Sequence, residues 1–262
     1  MAFQVFQRKS YSMASVDTKV KTNRLLGFSL LWLGVAIAFV ALLSFSILSI
    51  PTLFTFYAGI MTNIGTKPAF FIAIIIISLV ANVGIVLYMN RTATQEKPST
   101  FFLAFLFFVF VFINSLWMPL IWANQILLGR GKNILLAILG VGGITAIMGV
   151  LGYYQIINFG KLAPLLIILM VAELITGITM YFVTNSILTT FYWILGFGVS
   201  LGFMGYQFWI IREQGAQILA YYNDPKEIQR IFIRIGMLNA LNLFVAVVRL
   251  FMFILRFLNW RD

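Results

Sequence analysis

Two side chains of this protein carry charge where charge is least welcome. Glu173 and Arg249 each lie well inside a long apolar run. A charge at the centre of a bilayer costs about 2.5–3.5 kcal/mol on insertion scales. Opposite signs at similar depth invite an ion pair. Two other placements also fit: Arg249 can snorkel to the interface along its stem, and Glu173 can sit protonated against a neighbour such as Thr176. A carboxyl inside a span is also a candidate proton site for transport.

The uncharged polar groups follow a pattern of their own. In the apolar run from Gly236 to Phe251, Asn239, Asn242 and Arg249 fall within an arc of about 80° at the helical advance of roughly 100° per residue. Hydrocarbon offers such a stripe no hydrogen-bond partner, so it must face protein or water. The last helix is therefore expected at the centre of a bundle, with the rest of the chain around it. On the preceding run, Gln207 shares a face with Ser200, opposite Gly198, and is expected to meet Asn239 and Asn242 across the helix interface. That contact is either an interhelical amide clamp, worth about 0.6–2 kcal/mol, or the lining of a permeation path or substrate site. Asn114, with Pro119 in the same run, poses the same choice.

Composition sets these groups in a membrane. The 262 residues are 62% hydrophobic and 10% charged, with mean hydropathy +1.01, whereas soluble domains have about 25% charged and 45–50% apolar residues. The chain reads as an all-α integral membrane protein. A net charge of +11 in a soluble protein would suggest nucleic acid. Here it fits basic loops beside anionic lipid, so the partner is the bilayer and not nucleic acid. With no cysteine and no histidine, thiolate and imidazole metal sites, iron–sulfur clusters, disulfides and His-based nucleophilic pairs are excluded. No cofactor and no enzymatic activity are expected.

Seven runs are long enough to cross: Leu25–Ile50, Ala69–Met89, Phe101–Ala123, Ile134–Leu151, Leu162–Val183, Ile187–Ile211, and the run from Gly236 onward. A basic tail (1–24) precedes a single membrane domain (25–260). Residues 52–66 read as a semi-polar loop touching the interface, and 212–234 as the sizeable polar segment. An N-terminus in the cytoplasm puts twelve lysines and arginines inside and five outside, which favours that orientation. The expected location is the plasma membrane of a bacterium. Two small-residue rows, Gly142/Ala146/Gly149 and Gly198/Gly202/Gly205, read as seams where helix backbones approach closely.

Several of these stretches resemble one known family. Met148-Gly-Val-Leu-Gly-Tyr153 followed by Asn158-Phe-Gly-Lys-Leu162 is similar to the Met-Ser-Leu-Tyr-Gly-Tyr and Asp-Leu-Thr-Lys-Leu segments of the Bax inhibitor-1 (transmembrane Bax inhibitor motif) family, which includes bacterial YccA-like proteins. Gly205-Tyr206-Gln207 falls where that family has Ala-Tyr-Asp, and Leu238-Asn239-Ala-Leu-Asn242-Leu-Phe244 where it has Leu-Asp-Phe-Ile-Asn-Leu-Phe. Arg249-Leu250-Phe251 keeps the family's spacing after that asparagine. The likeness covers roughly residues 100–260 in order. It implies seven helices and a calcium-permeable leak in bacterial members, gated by two aspartates that share a proton. Those aspartates fall on Gln207 and Asn239, amides that cannot titrate near neutral pH. The acid often found in the family's third span is also missing, and Glu173 has no counterpart in the pattern.

Three functions follow as expectations. The first is a leak for inorganic cations without the acidic sensor. The second is a proton-coupled transporter using Glu173, against which stands the lack of an internal repeat. The third is a non-conducting protein that binds a membrane protease in stress or quality control, as bacterial relatives are thought to do. A retinal protein is excluded, because no lysine lies mid-span.

Overall fold

The computed structural model describes residues 16–95, 99–183 and 186–261. Expectations falling on residues 1–15, 96–98 and 184–185 lie outside them. The described residues form nine helices and no strand: α1 (Val16–Ser49), α2 (Pro51–Gly65), α3 (Pro68–Thr92), α4 (Thr100–Ser115), α5 (Met118–Leu127), α6 (Gly131–Tyr153), α7 (Phe159–Phe182), α8 (Ser186–Tyr221) and α9 (Pro225–Arg261). Seven segments are long and apolar enough to cross a membrane, with α4 and α5 together making the third. The protein is a seven-span helical membrane bundle.

The last helix is its centre. Of the apolar window of α9, 61% is buried, against 6% for α3 and no more than 33% for any other span. It packs on α1, α3, α4, α6 and α8. Leu238, Ala240, Leu241, Leu243 and Phe244 are all buried, which leaves α9 almost no lipid face between Ile231 and Phe244. The peripheral helices show the reverse, with Ile76, Ile77, Leu79 and Val80 of α3 exposed as lipid-facing residues should be.

Three boundaries differ from the sequence reading. Residues 52–66 are helical. At 15 residues, α2 is about 22 Å long and falls short of a core of about 30 Å. It stays on the side where α1 ends, and its Tyr57 hydroxyl donates to the Leu116 carbonyl at 2.6 Å. The third span breaks at Leu116–Trp117, because Pro119 lacks an N–H and its ring crowds the carbonyl four residues back. Tyr57 satisfies one carbonyl at that break. Asn114 donates to the Phe110 carbonyl at 2.7 Å and exchanges hydrogen bonds with Asn82 of α3 at 3.1 and 3.3 Å. Finally, the polar segment 212–234 is no loop. α8 continues to Tyr221 and α9 starts at Pro225, so two polar helix ends extend the core on the side where α1 begins.

Backbone contact follows only part of each glycine row. A Cβ on Gly152 would strike the carbonyl of Gly205, and one on Gly149 would touch the Phe208 ring at 3.4 Å, so α6 and α8 approach closely there. Gly202 and Gly205 meet Leu166 and Phe159 of α7. Gly142 and Gly198 face open space, so the seams are shorter than their sequence rows.

Candidate functional site

Polar side chains follow the face of α8 that meets α9 at Gln214. On α8 they are Gln214, Gln207 and Ser200, spaced seven residues apart and so on one face, at steps of about 10.5 Å. At the first level, Asn239 of α9 is 1% exposed and donates to Gln214 Oε1 at 2.9 Å. At the second level, Gln207 Oε1 is buried with no hydrogen-bond partner. At the third, Ser200 is buried and donates to the Gly196 carbonyl at 2.7 Å. Asn242 lies one turn beyond Asn239 and is half-buried.

The partner of Asn239 corrects an expectation. Sequence reasoning paired it with Gln207, and the structure gives it Gln214, two turns further along α8. Helices running in opposite directions set that register. Their sequence offered Gln214 only to a reader who carried α8 beyond Ile211, where the charged Arg212-Glu213 suggested a loop. Asn239 and Gln207 nevertheless both turn a side-chain oxygen into the protein interior.

Past Ser200, α8 reaches Gly196, and here the charged pair sits. Arg249 of α9 donates from a guanidinium nitrogen to Oε1 of Glu173 on α7, forming the ion pair. Of the three placements open to these residues, the structure adopts the pairing. Thr176 donates to the Ala172 carbonyl at 2.7 Å, a bond within its own helix. Glu173 is 4% exposed. Gly196 makes room for the pair: a Cβ there would stand 2.8 Å from Glu173 Oε1 and run into the Phe253 ring. That ring also lies 5.8 Å from the Arg249 guanidinium carbon, within cation–π range.

A polar cluster closes the end where α1 begins. Tyr153 donates its hydroxyl to Asn23 Oδ1 at 2.8 Å, and Arg212 donates to the Tyr153 carbonyl at 3.0 Å. Gln155 sits in the left-handed region at φ 57°, a conformation costing about 1–2 kcal/mol for an L-residue. Its side chain donates to Glu213 Oε1 at 2.7 Å, tying that turn to α8. Neighbouring Arg234 of α9, 2% exposed, donates to Thr100 Oγ1 at 3.0 Å and to the Gln95 carbonyl.

Among the buried acceptor oxygens that lack donors are Asn239 Oδ1 on α9 and Gln207 Oε1 on α8, with Glu173 Oε2 on α7 and Gln125 Oε1 on α5 elsewhere in the bundle. A buried acceptor without a donor costs about 1–3 kcal/mol. Partially negative oxygens spaced along a helix interface suit dehydrated cations, which take oxygen ligands in place of water. Among the described residues there is no cluster of three or more acids that would hold a metal ion tightly. The chain matches no protein-family model and no curated protein sequence.

Proposed function

We propose that this multi-pass membrane protein is a divergent relative of the Bax inhibitor-1 family that passes inorganic cations passively along the α8–α9 interface, without the family's acidic pH sensor. The observation that carries the reading is the pair of buried, donor-free amide oxygens on Asn239 of α9 and Gln207 of α8. The central position of the last helix supports it, whereas the polar contact between the last two helices joins Asn239 to Gln214 and not to Gln207, the position that matches the family's other aspartate. Amides in place of acids make such a path less selective for divalent ions than carboxylates would. They also remove the like-charge coupling that lets a pair of acids titrate near neutrality.

The test is ion uptake into proteoliposomes. Passive cation uptake is expected, with similar rates at pH 6 and pH 7.5. Gln207→Leu and Asn239→Leu should each slow it by about tenfold if one coordinating oxygen is worth about 1.4 kcal/mol to the passing ion. Acid sensitivity should then be installable. Gln214→Glu with Asn239→Asp places two acids in the present 2.9 Å contact, where they must share a proton. Gln207→Asp with Asn239→Asp leaves them about 10 Å apart in helix rise and should not couple. Proton-coupled uptake abolished by Glu173→Gln would replace this reading with a transporter. No flux, together with a co-purifying membrane protease, would replace it with a partner-binding role.

A further inference from the structure

Arg249 carries more donors than its carboxylate uses. A guanidinium has five N–H groups, and among the described residues its hydrogen bond is to Glu173 Oε1. The two partners are unequally covered: the Arg249 side chain is 33% exposed and that of Glu173 6%. Arg249 opens onto a groove of about 940 Å³ walled by Ile72 and Ile75 of α3, by Leu174 and Ile178 of α7 and by Tyr192 of α8. It is a groove open along one flank rather than an enclosed chamber.

The position of the groove says where an occupant comes from. Ile72 and Ile75 lie one and two turns inside the start of α3, and Ile178 one turn inside the end of α7. Ile72 is 52% and Ile178 55% exposed, on faces that hydrocarbon covers in a bilayer. The opening is therefore lateral, into the leaflet on the side away from the start of α1. Hydrocarbon alone cannot satisfy the spare N–H groups of a guanidinium. The occupant must bring an apolar body and an acceptor oxygen together. Glu173 already neutralises Arg249, and a second anion would be repelled by that carboxylate, so a neutral acceptor fits best.

We propose that this groove is a lipid-binding site: it takes an acyl chain of an ester-linked glycerolipid from the leaflet, whose ester carbonyl accepts a hydrogen bond from Arg249. The walls of α3 and α7 hold the chain, and the ion pair orients the linkage. The lipid seals the flank of α7, which packs chiefly on α8. The ion pair joins α7 to α9 and is distinct from the Asn239 and Gln207 oxygens proposed for permeation, so retained lipid and ion flux are separate readouts.

Native mass spectrometry of the full-length protein in detergent, titrated with diester phosphatidylcholine, its diether analogue or oleic acid, tests this. One diester molecule should be retained, with the diether, which lacks the carbonyl, weaker by about tenfold for one charge-assisted hydrogen bond. Ile75→Trp, at an exposed position on the α3 wall, crowds the groove and should abolish that preference at an unchanged unfolding temperature. The double variant Glu173→Gln/Arg249→Met should abolish it too, which keeps the test open if Ile75→Trp does not fold. Equal retention of diester and diether would overturn the proposal, since headgroup or chain would then suffice. Preferential retention of oleic acid would overturn it in favour of a carboxylate site. A diester preference surviving both variants would place the lipid elsewhere.

Discussion

α9 is bridged to its neighbours by two kinds of buried polar contact. At one level the contact is uncharged, Asn239 to Gln214 of α8. Ten residues further along, it is charged, Arg249 to Glu173 of α7. Both place a polar group of the central helix against a neighbouring span, yet they answer different demands. An amide can enter a protein interior with one hydrogen bond unmade, and Asn239 Oδ1 is left so. A guanidinium cannot be left without a counter-charge in a bilayer, so a third helix, α7, is recruited to supply one. The charged contact therefore fixes the architecture, and the uncharged one leaves acceptors free for a passing ion.

The largest effect should come from breaking the charged contact on one side. Arg249→Met strands Glu173, which is 4% exposed, and loss of one partner of a buried pair costs about 3–5 kcal/mol. Glu173→Gln in the same background should recover part of that loss, because no charge then remains uncompensated. Thermal unfolding in detergent for both singles and the double measures it. Strict additivity would mean that the two groups do not interact.

The two contacts were unequally legible. Charge inside an apolar run has few ways to be satisfied, so Glu173 and Arg249 announced each other across 76 residues. Amides have many possible partners, and only the axial register of α8 against α9 chooses among them. The sequence showed that register poorly, because Arg212-Glu213 hid the helix that continues through them. The central position of α9 was readable from its polar stripe. The α2 helix was not, since a short semi-polar run carries no span signal, and a lone amide such as Asn82 in α3 shows no mate until the fold brings Asn114 to it.

An intermediate effect is expected at the glycine beneath the charged contact. Gly196→Ala pushes a methyl group towards Glu173 Oε1 and the Phe253 ring, and overpacking of this kind costs about 1–3 kcal/mol. Gly198→Ala, two residues away and facing open space, should be neutral or stabilising by up to about 1 kcal/mol on helix propensity. The pair serves as an internal control in one helix. Equal unfolding temperatures for the two variants would show that α8 does not press on the ion pair.

The smallest effect belongs to the amide contact. Leucine at Asn239 or Gln214 removes one neutral interhelical hydrogen bond, and such bonds average about 0.6 kcal/mol, reaching at most about 1.7. A double-mutant cycle is needed to see it, since leucine also brings new packing to the buried Asn239 site. A coupling of this size, set against several kcal/mol for Glu173 with Arg249, would show that fold stability rests on the charged contact and leaves the amides free for another role. A coupling as large as the ion pair's would reverse that assignment: the amides would then be structural, and a polar path beside them would have to be sought on another face of α9.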